Sequence, residues 1–305
     1  MAPSTIMYNE NPFAHRLMTA KQLVPETLSA MKNVYENRDK KAENGFIHSG
    51  MDDLYFRKGT LSFLCATDFK QDMAGSFFLD IGNRQNKSAG WITTEPDELT
   101  DFCEWLIDVE AGISYPFPWD CDENDLQKGT KIAEILSEKN LLFADVPNGS
   151  FEKIENAIYT MVTDHQAEVV FINSFDYLAE VVYPGNKETC VNDMEKLLSS
   201  FRNLAKKHNI AIVMLMDFPE WTWQDELPPK LSDFKSNVII PKMADMVLLL
   251  YNAEYDAVNH YRAEKYRLDI LKDVNGGCAT YSFDYDFNYS KFVLTCSPHG
   301  RISHA

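Results

Sequence analysis

The chain has 305 residues, 45% of them hydrophobic and 12% aromatic, enough to bury a substantial core in one main α/β domain with at most a small appendage. Its 46 acids against 29 bases give a formal charge of −17, a field that repels phosphate backbones and counts against autonomous DNA binding. The six cysteines stand singly, without zinc spacing, and no apolar run reaches membrane-spanning length; the composition therefore predicts reduced thiols, no metal centre and no membrane contact, in a cytoplasmic protein (a host's cytoplasm if viral).

Residues 1 to about 20 show no periodicity and read as an arm. The stretch 19–37 carries Leu23, Leu28, Met31 and Tyr35 at amphipathic-helix spacing, and a polar run, 37–44, separates it from the next apolar segment. The expected division is an N-terminal arm and linker helix over 1–44 and a main domain over 45–305. The helix has two readings, packing on its own domain or docking on a neighbouring subunit.

Residues 45–54, GFIHSGMDDL, predict a short apolar segment, a turn and a helix start, and 59–66, GTLSFLCA, a buried strand. TDFKQDMAGSFFLDIGN then reads as a loop that resumes as a helix over 76–81, the strand, loop and helix order of a phosphate-binding loop. Phosphate binding needs glycines to bring backbone amides around the phosphates, a lysine and a hydroxyl. Here Lys70 comes too early, Gln71, Asp72 and Met73 follow, the sole glycine Gly75 precedes Ser76, and Asp68 and Asp72 would repel a triphosphate.

Residues 89–94 form a third predicted strand, ending at Glu95, and Pro96 opens a helix through Glu98, Leu99, Phe102 and Trp105. Glu95 either polarises a water or caps that helix. The stretch 115–125, YPFPWDCDEND, reads as a solvated loop without calcium-loop spacing; 140–145 reads as a strand and 151–164 as an amphipathic helix.

In AEVVFINSFDYL, 167–178, the β-branched and aromatic run Val169 to Ile172 predicts a strand buried on both faces. Asn173, Ser174 and Asp176 follow its C-terminal end, where open parallel sheets place ligands. A nucleotide-hydrolysing enzyme places an acid for magnesium directly after such a run, and here that residue is Asn173. A helix over 191–208 and a strand over 210–216 continue the alternation. The loop PEWTWQDELPPKLSDFKSN carries Trp221, Trp223, Lys230 and Lys235; its tryptophans either pack beneath it or grip a partner or base. A strand at 247–251, a hairpin of 266–271 with 279–283 across Asn275, Gly276 and Gly277, and a last strand at 291–295 complete the sheet.

The order and spacing of these segments over about residues 20–295 resemble the C-terminal motor domain of DnaB-type replicative helicases, members of the RecA-like ATPases. LSDFKSNVIIPKMADMVLLLYNAEYD, GFIHSGMDDL, LLFADVPNGSFEKIENAI and NGGCATYSFDYDFNYSKFV carry the similarity. The resemblance implies a P-loop NTPase fold: a largely parallel sheet with helices on both faces and a terminal β-hairpin. It places Glu95 on the family's catalytic glutamate and Lys272 on the lysine of its terminal Lys-x-Arg pair. The Walker A signature is replaced, whether Gln71, Asp72, Met73 or Met73, Ala74, Gly75 is aligned with it. Asn173 replaces the Walker B aspartate, Asp217 the sensor glutamine and Val274 the arginine finger.

The expected function is therefore a pseudo-ATPase without cofactor, acting through protein partners in replication or recombination or through homo-oligomers built by the 19–37 helix. Two alternatives stand beside it. One is an ATP- and Mg2+-dependent helicase subunit with a relocated phosphate site at Lys70 or Lys272, and Asp176 as metal acid; the other is a non-hydrolysing nucleotide or single-stranded DNA module.

Overall fold

The computed structural model describes residues 45–51, 54–96, 98–114, 122–147, 149–182, 190–218, 228–234, 238–253, 255–256, 261–262, 264–274, 278–298 and 300–301. The 19–37 helix and the loop residues Trp221, Trp223 and Lys235 lie outside them.

The main unit, Gly45–Ala305, opens with a hairpin in which β1 (Phe46–His48) pairs antiparallel with β2 (Tyr55–Arg57). The helix start expected near residue 54 is thus corrected. Leu54 donates its N–H back to the Met51 carbonyl at 3.2 Å, and Ile47, Leu54 and Phe56 turn into the core. Next come β3 (Leu61–Ala66), α1 (Lys70–Leu79), a π-helical turn at Asp80–Arg84, β4 (Ala89–Thr93) and α2 (Glu98–Ala111).

Of the stretch 115–125 expected as a loop, residues 115–121 lie outside the described residues and 123–125 open a helix. Asp122 caps α3 (Glu123–Ser137) by accepting from Asp125 N–H at 2.9 Å, with Glu123 and Asp125 favourably placed in the positive first turn. The chain continues through β5 (Leu141–Asp145), α4 (Phe151–His165), β6 (Val169–Asn173), α5 (Phe175–Val182), α6 (Cys190–His208) and β7 (Ala211–Asp217). A 3-10 turn at Leu231–Asp233 and α7 (Ile239–Met243) lead to β8 (Met246–Asn252). The small pair β9 (Tyr255–Asp256) and β10 (Tyr261–Arg262) follows, then β11 (Lys265–Asp273), β12 (Thr280–Asp286), β13 (Lys291–Ser297) and β14 (Gly300–Arg301).

The main sheet has ten strands in the order β14-β13-β12-β11-β8-β3-β7-β6-β4-β5. Strands β8 to β5 in that order are mutually parallel, and β11 to β14 extend the β8 edge as antiparallel hairpins. Because β3 lies between β7 and β8, the winding reverses there, and the C-terminal ends of β3, β6 and β7 border a crevice of the kind in which open α/β sheets seat ligands.

Strand β6 shows how the layers form. Val169 and Phe171 face a layer built by α1, α2 and the β1-β2 hairpin, while Val170 and Ile172 face one built by α4, α6 and α7. Such two-sided burial explains an unbroken apolar run in place of alternation. Buried Asp245, before β8, ties the layers together by accepting from Leu61 N–H at 3.1 Å and pairing with the Arg202 guanidinium.

Candidate functional site

Only Thr67, Asp68 and Phe69 separate β3 from α1. Phe69 turns the chain in the left-handed region, at φ 55°, and the helix begins at Lys70. The sequence places Lys70 to Gly75 in a loop and starts the helix at Ser76; the structure puts Lys70, Asp72, Met73, Gly75 and Ser76 all on α1. The cause is tertiary: Met73, Ala74, Phe77 and Phe78 bury as one helical face against the sheet. Gly75 serves packing rather than a phosphate cradle, since a Cβ there would come within 2.3 Å of the Trp105 ring and 3.1 Å of Phe102. Ser76 donates its hydroxyl to the Asp72 carbonyl at 2.8 Å, and Met73 is wholly buried.

The other groups of the crevice satisfy one another. Tyr285, on β12, donates its hydroxyl to Asp72 at 2.8 Å while its ring stacks on Phe69 at 4.2 Å, so the antiparallel extension closes over the first turn of α1. Burial pushes the Asp72 carboxyl up to about 6 against the lowering effect of that hydroxyl. Lys70 forms an ion pair with Asp217 at 2.9 Å, and the Asp217 N–H donates to Asp176 at 2.7 Å. Burial also raises Asp176 to about 6, although that N–H and the Lys70 charge pull it down.

At the end of β6, Asn173 is 1% exposed and donates Nδ2 to Glu98 Oε2 at 2.8 Å. Its Oδ1 has no donor among the described residues. Thr93 donates to the same Glu98 oxygen at 3.4 Å. Burial, then the charge and hydrogen bond of Glu95, raise Glu98 to about 7. The two glutamates thus lie together beside an amide. An aspartate at 173 would set a further negative charge against Glu98, whereas Asn173 supplies a donor.

Lys272 is not brought to this cluster. It pairs with Val247 at the N-terminal end of β8, the opposite edge of the sheet, and donates to the carbonyls of Pro241 at 2.9 Å and Ala244 at 2.5 Å. Burial lowers its pKa. Lys230 is exposed and borders a separate shallow groove with Asp269, Cys278 and Thr280. Sequence reasoning missed Glu98 as a site residue, reading it only as part of the predicted helix; its place three residues after Glu95, across the turn that opens α2, is the signal that joins them. Tyr285 carries no local signal.

This donor set does not fit a magnesium-bound nucleoside triphosphate. The passage from β3 to α1 is too short for an amide cradle, the first turn of α1 carries Asp72, Lys70 is held by Asp217, and the strand-end position for a metal-orienting acid is an amide. Beside these groups, among the described residues, lies a cavity of about 180 Å3 lined by Gln71, Asp72, Glu98, Asp101, Phe102 and Trp105.

The family model described as the DnaB-like helicase C-terminal domain matches residues 118–294. The replicative DNA helicase DnaB of Rickettsia prowazekii is 26% identical over 188 residues, covering 56% of this chain and 38% of that protein. DnaB of Rickettsia bellii is 25% identical over 237 residues, 69% of this chain and 46% of that protein. The chain thus spans less than half the length of these relatives. Among solved structures, a DnaB-like replicative helicase described with its interactions with primase superposes with a TM-score of 0.73 at 17% identity, covering 87% of this chain and 66% of that one. A second solved structure, described as an ATPase domain, gives 0.71 at 17% identity, covering 87% of this chain and 97% of that one. These likenesses agree with a RecA-like α/β fold.

Proposed function

The chain belongs to the DnaB-like helicase C-terminal domain family, and we propose that it is a pseudo-ATPase of that family, using the motor scaffold as a structural or regulatory subunit of a DNA replication or recombination assembly. The observation that carries this reading is the three-residue passage from β3 into α1, with Asp72 in the helix's first turn bonded to Tyr285. A triphosphate there would meet a carboxylate where the family's phosphate loop offers lysine and amide donors. Glu95 keeps the position of the catalytic glutamate, but its neighbour is Glu98 rather than a metal-orienting aspartate. Partners are proteins of that assembly, in the cytoplasm, and further copies of the chain docked through the 19–37 helix.

The test is binding of a fluorescent ATP analogue with magnesium, with phosphate release followed in the same samples. Neither is expected. Turnover abolished by Glu95→Gln would overturn the reading in favour of a helicase subunit in which Lys70 leaves Asp217 for the phosphates. Binding without release, or a salt-dependent shift of single-stranded DNA, would favour the non-hydrolysing module.

A further inference from the structure

We propose that β5, the outer strand of the ten-stranded sheet, pairs antiparallel with β5 of a second copy of this chain about a two-fold axis. The contact goes beyond the function proposed above and does not depend on whether the chain binds nucleotide. Among the described residues β5 is hydrogen-bonded to β4 alone. An unpaired edge invites another strand, and proteins usually blunt it with a bulge, a proline, an inward-pointing charge or a very short strand. The opposite edge of the sheet follows that rule, ending in the two-residue β14. Strand β5 does not. Its five residues, LLFAD, hold an unbroken register with β4, the first four are apolar, and Phe143 is 37% exposed.

The backbone fixes which groups such a strand can offer. Ala89 donates its N–H to the Asn140 carbonyl at 3.0 Å, and Val146 donates to the Thr93 carbonyl at 2.9 Å, so the even-numbered residues bounding β5 aim their backbone groups at β4. By the alternation of a strand, Leu141, Phe143 and Asp145 aim theirs away from the sheet. Hydrogen-bonded pairs across the two-fold must therefore join odd-numbered residues. Setting Leu142 opposite its own copy does this: Leu141 of each copy exchanges two bonds with Phe143 of the other, and the two Leu142 side chains meet as a close, non-hydrogen-bonded pair. The same register sets Lys139 of each copy opposite Asp145 of the other, on the face that carries Leu141 and Phe143. Sliding one strand by two residues would set Lys139 opposite Phe143, or Asp145 opposite Leu141. One register thus satisfies the apolar and the charged pairs together, which is the self-complementarity that an isologous contact requires.

The experiment is sedimentation equilibrium of the full chain over a concentration series, with residue-resolved hydrogen exchange at both ends of the series. A reversible dimer with a dissociation constant in the micromolar range is expected, the strength of a small contact. Lys139→Glu and Asp145→Lys are each expected to weaken it about tenfold, because each change acts twice per dimer, and the double variant to return to within about threefold of the parent. Both single changes weaken association although they move the net charge in opposite directions, which separates the pairing from general repulsion between acidic chains. Thermal melts matching the parent confirm that the variants fold. In exchange, the Leu141 and Phe143 amides are expected to slow only at the concentrated end, whereas Leu142 and Ala144, bonded within the sheet, stay equally slow throughout. A monomer at every concentration, or association indifferent to both swaps, as through the 19–37 helix, would overturn the proposal. So would a single swap that strengthens association, or a dimer whose Leu141 and Phe143 amides exchange as in the monomer.

Discussion

At Gly75 two opposing rules meet. Replacing a mid-helix glycine by alanine ordinarily stabilises by about 1 kcal/mol, because alanine has less backbone entropy to lose on folding. Here the new methyl would lie 2.3 Å from Trp105, a buried ring that also donates its indole N–H to the Ser290 carbonyl at 3.2 Å. The ring is held on both sides, so overpacking wins. Gly75→Ala is expected to destabilise by about 1–3 kcal/mol in urea unfolding, and a gain in stability would show that the Trp105 packing is soft. The same residue explains a misreading. A glycine after an acidic, polar run looks like loop chemistry, and nothing within several residues reveals that its partner is an indole thirty positions on. That the charge of Asp72 repels a phosphate and that Lys70 comes early in the stretch were legible, because both are properties of the sequence itself. Their partners Asp217 and Tyr285 were not, because only the sheet brings them near.

Elements were legible where burial leaves a pattern. Strand β6 is apolar on both faces and announces itself, and α4 and α6 carry their buried residues at helical spacing. Helix α3 escaped because none of its residues is fully buried and its cap is a carboxylate within a run of acids. The joint between elements is another matter. Asp245 is 5% exposed and holds α6 through Arg202 while bonding the start of β3. Arg202→Met keeps most of the aliphatic stem but leaves a buried carboxylate with one backbone donor. The expected loss is about 3 kcal/mol, the usual scale for breaking a buried pair, read from chemical denaturation. A loss below about 1 kcal/mol would mean that water replaces the guanidinium at the helix edge.

For the molecule as a whole, Asp72, Asp176 and Glu98 gather at one end of the sheet with carboxyl groups raised from 3.8, 3.8 and 4.5 to about 6, 6 and 7. Between the unfolded and folded values the native state binds more protons, so stability falls as pH rises. These groups support the fold fully below about pH 4, and that support is withdrawn by pH 7 to 8. The unfolding midpoint is expected to drop between pH 5 and pH 8, and Glu98→Gln to flatten the drop. An unchanged slope in the variant would remove Glu98 from the account. The overall charge of −17 pulls in the same direction, which makes the comparison of variant and parent, rather than the slope alone, the deciding measurement. At this scale the fold was legible from the order of strands and helices, whereas the concentration of these acids at one end of the sheet was not, since they come from three separate helices.

The central position of β3 also matters while the protein is being made. Its first residue bonds to a carboxylate 184 positions further along the chain, and its neighbours β7 and β8 are both late segments. At about 5–20 residues per second of synthesis, roughly 10 to 35 seconds pass before the chain reaches that carboxylate. For most of that interval, until β7 is made, a six-residue strand destined for complete burial has neither neighbour. Productive folding must therefore shield a bare apolar segment during translation, and a chain truncated before β8 would be left permanently without one of that strand's two neighbours.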